Sequence, residues 1–434
     1  MIQYYKTLLS KQTISEFTVN GTDVISEYKP LDNIDCVVLN KYNQKIYFCI
    51  LLRGGPPLNR QIRIYEYNPV NNTIYYCDIP LEPTVTSYYD THPLGIMFID
   101  NRGYIYMCKE KGKDSSSGLS DGHGTNLVLY RSNEKNSILT GFSKIKEIIG
   151  TYSYPRFWLN DSNLVLLGRN TFYTICSNVS NDYGFSFESE RLVYTCNPSN
   201  GAYNFKIHSK DDWNYLVVCE RNETSSLFFS ISVIKTQDFI TWCSVTEAFQ
   251  KAGNISANEL FENCLVTISS NYNIQSIQFE GGYVKEDGDI ILLVSGGIYI
   301  GDKIEGNAKI LNNLLRVYKF SNDIWTYIDL QGINEGISSY WAYDKCYRVN
   351  AGDVKDYIYY IDLNDNRALK RLSSIDDFIT YTVETIKEGN GNYIMGSSPY
   401  NSDDQTQSVI IIDTITDMFD FDSYSNLIIL TVNN

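Results

Sequence analysis

A strand–turn–strand unit recurs along this chain. A unit that cannot bury its own apolar face commits the chain to a fold built from stacked repeats. One copy begins Cys36-Val-Val-Leu-Asn-Lys-Tyr-Asn-Gln-Lys-Ile-Tyr-Phe-Cys-Ile and continues at Ile62-Arg-Ile-Tyr-Glu-Tyr-Asn. The next begins Gly95-Ile-Met-Phe-Ile-Asp-Asn-Arg-Gly-Tyr-Ile-Tyr-Met, with Asn126-Leu-Val-Leu-Tyr-Arg-Ser as its third strand. Further copies run through Tyr152 to Phe187, from Phe205, from Gly282, from Tyr343 and from Tyr381. The unit spans roughly 40–60 residues, the range of a four-stranded propeller blade. The expected fold is therefore all-β: one β-propeller domain over residues 1–434, of about seven blades of four antiparallel strands, with six or eight also fitting the length. Glu16-Phe-Thr-Val and Leu427-Ile-Ile-Leu-Thr-Val are the candidates to complete a terminal blade and so protect sheet edges.

Composition agrees with strands. Aromatics make up 14% of the chain, led by 36 Tyr, and Tyr favours pleated, half-buried surfaces. Helical periodicity is scarce, and the candidates are Thr246 to Ala252 and Ala257 to Cys264. The ten Cys are scattered with no Cys-x-x-Cys, so they read as buried thiols. A net charge of -15 argues against nucleic acid as the main partner. No apolar run is long enough to cross a bilayer, and Met1 to Ser10 lacks the layout of an export signal. The stretches Lys109 to Asp121 and Ser397 to Gln407 are polar and read as surface loops, the first as a hairpin tip or a contact loop.

The stretch Ser180-Asn-Asp182-Tyr-Gly184-Phe-Ser-Phe187 fits Ser-x-Asp-x-Gly-x-Ser-aromatic. Asp182 can accept turn N–H groups, Gly184 can take φ > 0 and Phe187 can plug beneath the turn. It resembles the Asp-box turn of sialidase-like (BNR) β-propellers. Thr236-Gln-Asp238-Phe-Ile-Thr-Trp242 reads as a shortened copy. This turn is a folding signal and carries no chemistry.

Residues able to do chemistry are few. The three His are His92, His123 and His208. No His-x-x-x-His or Glu-x-x-His spacing indicates a metal, and no P-loop or Gly-x-Ser-x-Gly occurs, so neither metal nor cofactor is expected. The segment from His92 to Phe187 resembles the seven-bladed propeller polysaccharide lyases of the ulvan lyase type. The likeness rests on His92 with Asp100-Asn-Arg-Gly-Tyr-Ile-Tyr, His123 with Leu129-Tyr-Arg-Ser, Leu139-Thr-Gly-Phe, Ser153-Tyr-Pro-Arg-Phe and Leu167-Gly-Arg169. It implies that His92, His123, Tyr154 and Arg169 form the catalytic group and meet at one mouth of the propeller. A lyase must neutralise a uronate carboxylate, which suits Arg169, and needs an acid and a base, for which His and Tyr serve. Three features depart from the family pattern: Gly124 after His123, the insertion Lys111 to Ser120, and Gly168 before Arg169.

Arg156, Trp158 and Trp213 are the candidate glycan-binding residues, with Trp341 a further mouth aromatic. The functional expectation is a virion-associated propeller of a phage that contacts host surface glycan, with lyase activity by β-elimination. The phage setting rests on the residue bias of an AT-rich genome and on the missing export signal. The alternatives are a non-catalytic structural propeller of a phage particle and a secreted-type carbohydrate-binding module. Expected partners are a glycan, other virion proteins and a second copy of the chain.

Overall fold

The structure is a computed structural model. It describes residues 13–19, 28–29, 37–39, 43–52, 61–68, 70–71, 73–80, 96–110, 125–160, 162–170, 173–207, 212–222, 224–225, 227–269, 275–300, 309–330, 337–339, 347–350, 356–362, 364–390, 393–395, 400–401, 407–414 and 426–433. The chain divides into two compact units. The first comprises residues 1–164, 180–187 and 386–434; the second comprises 165–179 and 188–385.

Both units are built from sheets that are antiparallel except where Arg191–Thr195 pairs parallel with Ile255–Ser256. In the first, Tyr28–Lys29, Ile46–Leu52, Gln61–Asn68 and Thr73–Pro80 lie side by side. So do Ile96–Ile99, Ile105–Glu110, Thr125–Glu134 and Ser137–Asn160. The chain ends share one sheet: Thr13–Val19 pairs antiparallel with Asn426–Asn433, which pairs with Gln407–Thr414. The expected terminal strands thus both contribute, and Thr13–Val19 covers the edge that Asn426–Asn433 would otherwise present.

In the second unit, Asn200–Ile207, Asn214–Asn222, Leu227–Thr236, Thr241–Ser244 and Gln250–Ala252 follow in order. Ser276–Val284, Ile290–Ile300, Lys309–Ser321 and Ile324–Asp329 make the next sheet, and Tyr347–Asn350, Asp356–Asp362, Ala368–Ser374 and Thr382–Lys387 the one after. Apolar residues alternate along these strands and meet between sheets. Ile64, Phe48, Met107 and Val128 anchor one core in the first unit; Leu293, Val317, Ile358 and Phe378 anchor one in the second.

An arginine clamp recurs on the outer strands. Arg63 stands opposite Asp78 and Tyr65 opposite Tyr76; Arg316 stands opposite Asp329 and Tyr318 opposite Tyr327. Each guanidinium is forked onto its carboxylate, at 2.6 and 2.8 Å for Arg63 and 2.6 and 2.9 Å for Arg316. Each also lies over the fourth-strand tyrosine, 3.8 and 3.7 Å from the ring centre. Burial alone would lower both arginine pKa values, but the paired aspartates hold them above the ordinary value. Arg371 is a looser variant: it pairs with Glu384 on the fourth strand of its sheet but stacks on Tyr357 of the second.

Three turns share one hydrogen-bond scheme. Ser180 Oγ accepts the Gly184 N–H at 2.8 Å, and Asp182 accepts the Ser186 N–H at 2.8 Å and its hydroxyl at 2.6 Å. Ser374, Asp376 and Thr380 repeat this through the Phe378 N–H (2.8 Å) and the Thr380 N–H (2.9 Å) and hydroxyl (2.7 Å). Thr236 and Asp238 make the version shorter by one residue, receiving Phe239 and Thr241. Gly184 has φ +89, and a Cβ there would lie 2.5 Å from Leu129 Cδ2, so a side chain there would be strained and would push Leu129 aside. Phe187 is half-exposed rather than plugged beneath the turn. Phe378, at the matching position with φ 68, is itself fully buried.

The helix Ala257–Cys264 forms where expected, with Ser256 and Glu259 as a capping box. Thr246 to Ala252 does not. Ser244 Oγ accepts the Phe249 N–H at 3.2 Å, Glu247 sits at φ 62, and Gln250–Ala252 is a strand. The local side-chain bonds win over a weak helical pattern. Of the eight described cysteines, Cys77 is half-buried and the rest are buried.

Candidate functional site

The first unit carries the Tyr154 segment. It ends the 24-residue strand Ser137–Asn160, whose pairing to Thr125–Glu134 slips at three places, the last between Ile148 and Tyr152. Gly150 allows the slip: a Cβ there would fall 2.3 Å from the Tyr152 ring, which is wholly buried. Tyr154 follows with φ 52. A bulky side chain ahead of a proline is normally extended, so this backbone is strained by about 1–3 kcal/mol. Its neighbours are locked. Ser153, Arg156 and Phe157 are buried, and Phe157 rests on Phe98 with ring centres 5.0 Å apart. Tyr154 alone of this run is half-exposed. Arg156 donates to the Pro155 carbonyl at 3.0 Å, and Trp158 is also buried.

The second unit carries Arg169, which is 1% exposed on the strand Asn163–Asn170. Its guanidinium lies 4.7 Å from the centre of the Tyr203 ring, and that of Arg221 lies 5.1 Å from the same ring. Phe228 meets Tyr203 edge-on at 4.9 Å. In the register of Asn200–Ile207 with Asn214–Asn222, Tyr203 faces Cys219 and Gly201 faces Arg221, while Ala202 faces Glu220. Tyr203 and Arg221 therefore share one sheet face and Glu220 takes the other. Fully buried Glu220 accepts the Asn200 amide at 2.9 Å and the Tyr194 hydroxyl. Burial pushes the Glu220 carboxyl up, and these bonds only partly offset it. Two guanidiniums near one aromatic ring form a cationic cluster, buried at Arg169 and Tyr203, whose fork geometry matches a planar anion.

Of the residues singled out in the sequence, His92, His123, His208 and Trp341 lie outside the described residues, as do residues 111–124 between Glu110 and Thr125. Tyr154, Arg156 and Trp158 lie together on one strand of the first unit, and Arg169 and Trp213 belong to the second. Trp213 is half-buried, with Lys235 Nζ 4.3 Å from its ring centre and that lysine paired to Glu247 at 2.7 Å. Sequence reasoning missed Tyr203 and Arg221. Only the hairpin register brings them together. Among the described residues no group of three His, Cys, Asp or Glu is placed to hold a metal ion, and no helix is long and apolar enough to cross a membrane.

No family model matches this sequence, and no curated protein is similar to it. Solved structures are. A polysaccharide lyase of a new family, an ulvan lyase, superposes with a TM-score of 0.71 at 14% identity over 96% of both chains. The same kind of enzyme bound to -[GlcA(1-4)Rha3S]- gives 0.71 at 13% identity, covering 94% of this chain and 95% of that one. The polysaccharide lyase Uly1 gives 0.66 at 10% identity, over 97% and 99%. At such identity the likeness speaks for the fold: this chain is an all-β propeller with the architecture of the ulvan lyases.

Proposed function

We propose that this propeller binds an anionic, uronate-containing polysaccharide and cleaves it by β-elimination. The observation that carries the reading is Tyr154: a half-exposed hydroxyl-bearing ring held at a strained backbone angle by buried neighbours on both sides. Strain of that kind persists where the surroundings over-determine it, and it collects at working sites. Arg169, with Tyr203 and Arg221 beside it, supplies the second requirement, a place for a carboxylate. Support also comes from the ulvan lyase structures, one of which holds a glucuronate–rhamnose sulfate saccharide.

In this reading the uronate carboxylate pairs with Arg169, which makes the proton on the adjacent carbon more acidic. A base removes that proton, the electron pair forms the C4–C5 double bond, and the C4–O bond breaks. The departing oxygen takes a proton from an acid. Tyr154, His92 and His123 are the groups proposed for these proton transfers, with Arg156, Trp158 and Trp213 as further glycan contacts. The phage virion setting is a separate proposal supported by residue bias alone; mass spectrometry of purified particles tests it.

Wild-type protein incubated with a panel of uronate-containing polysaccharides should release unsaturated ends, read as rising ultraviolet absorbance. Arg169→Ala and Tyr154→Phe should each slow that rise about a hundredfold or more, while leaving the melting temperature of Tyr154→Phe unchanged. Binding of polysaccharide without any product would make the chain a receptor-binding module. Neither binding nor product would overturn the glycan reading.

A further inference from the structure

The register position that holds Asp78 in one outer-strand clamp and Asp329 in another holds Ser143 opposite Arg131. Arg131 sits on the third strand of its sheet, as Arg63 and Arg316 do on theirs, but it is half-buried where they are buried; its guanidinium donates to the Tyr106 hydroxyl, and among the described residues no ion pair closes it. Ser143 instead donates to the Asn133 side chain at 2.7 Å. Arg131 stacks on two rings, its guanidinium 4.4 Å from the centre of Tyr104 and 4.9 Å from that of Phe185. Two more cations surround Tyr104: Arg102 at 5.2 Å and Lys135 at 5.7 Å. Arg102 also lies 3.3 Å from the centre of Tyr183.

The carboxylates nearby do not neutralise this ladder. Asp100 is committed to Arg102, whose Nε it accepts at 2.8 Å, and to the N–H groups of the Asp100–Tyr104 turn. Asp182 is committed to Ser180 and Ser186. Glu134 is exposed and forms no ion pair among the described residues. Three cations therefore crowd one ring with one carboxylate among them, on a chain whose net charge is -15. Like charges gathered in this way repel unless an anion joins them. Phe185, 45% exposed, offers an apolar ring beside Arg131, and Lys135 lies across Tyr104 from the same cluster. An aromatic face next to forked and point donors fits a sugar ring that bears an acidic group.

We propose that Arg131, Lys135, Tyr104 and Phe185 form a binding site for an acidic sugar residue of a polysaccharide, separate from the residues assigned to elimination. Phe185 stacks the sugar ring; Arg131 and Lys135 hold its sulfate or carboxylate. The site retains long chains and does no chemistry. It rests on the reading that the protein binds anionic glycan, and it adds a second point of attachment, which raises avidity for long chains only.

The test measures binding of heparin, as the sulfated uronate probe, and of dextran, as the neutral control, to wild type, Arg131→Ala, Phe185→Ala, Phe185→Trp and Ser143→Asp. Arg131→Ala and Phe185→Ala should each weaken heparin binding about tenfold, the worth of one charge-assisted contact. Phe185→Trp should keep it. Ser143→Asp should weaken it about as much as Arg131→Ala without lowering the melting temperature, because it supplies the acid that the other clamps already have. Turnover of a short uronate oligosaccharide should be the same in all five proteins. If wild type binds heparin and Arg131→Ala, Phe185→Ala and Ser143→Asp bind it equally well, the site is refuted while the glycan reading stands. If wild type binds no anionic polysaccharide, both fall together.

Discussion

Arg63 and Arg131 stand at matching places in two sheets of the same unit, and one cross-strand neighbour separates their roles. Opposite Arg63 is Asp78; opposite Arg131 is Ser143. Arg63 is 2% exposed, forked onto its carboxylate and capped by Tyr76. Arg131 has the aromatic stacking without the carboxylate. The clamp satisfies its own charge and ties two strands together. The open version leaves a charge for something outside the chain. A guanidinium on a tyrosine therefore says little about function until its acid is located.

The largest effect on stability should come from opening a closed clamp. Asp78→Ser leaves Arg63 buried without its acid and should cost about 2–3 kcal/mol, somewhat below the figure for a fully buried pair because Asp78 is 28% exposed. Asp329→Ser should behave alike, since its geometry matches to about 0.1 Å. Urea unfolding reads both; a loss under about 0.5 kcal/mol would erase the contrast between closed and open clamps. Closing the open clamp is the milder reciprocal. Ser143→Asp should gain no more than about 1 kcal/mol, the range of a partly exposed pair, and a clear loss in the same unfolding experiment would show that Arg131 already has a partner.

The smallest effect concerns the turn that presents Phe185 and Tyr183. Slight burial would raise the pKa of Asp182, but the bonds from Ser186 and Ser180 hold it below the ordinary aspartate value of 3.8. Asp376 is lowered by the Thr380 bonds, and Asp238 by the Thr241 and Ile240 N–H groups in spite of burial. A carboxyl whose folded pKa is depressed stabilises fully above its unfolded value and loses that contribution as pH falls through the folded one. The melting temperature should therefore drop as pH goes below about 3.8, and Asp182→Asn should shrink that drop slightly. An acid limb identical in wild type and Asp182→Asn would show that the turn contributes nothing through its charge.

Much of the fold was legible because strand alternation and turn residues are local signals. The Ser180–Phe187 turn, its shortened copy at Thr236 and the helix Ala257–Cys264 could all be read from the chain. The third turn, Ser374 to Thr380, escaped because Phe378 occupies the place where the pattern asks for glycine. Thr246 to Ala252 misled because propensity was weighed without the Ser244 bonds that bend it. The site was less legible. Ser-Tyr-Pro-Arg-Phe marks Tyr154, but nothing in those letters announces a positive φ. Clamp pairs such as Arg63 with Asp78 and Arg316 with Asp329 are 15 and 13 residues apart and become visible only once the register is known.

The central claim is that this propeller eliminates across a uronate linkage. Its most direct test is proton NMR of a uronate-containing polysaccharide after incubation with wild type and with Tyr154→Phe. Elimination at Tyr154 predicts a vinylic proton signal of the unsaturated uronate that grows with time for wild type and stays near baseline for the variant. A wild-type digest with no vinylic signal on any uronate polysaccharide that the protein binds, or an equal signal from Tyr154→Phe, would contradict it.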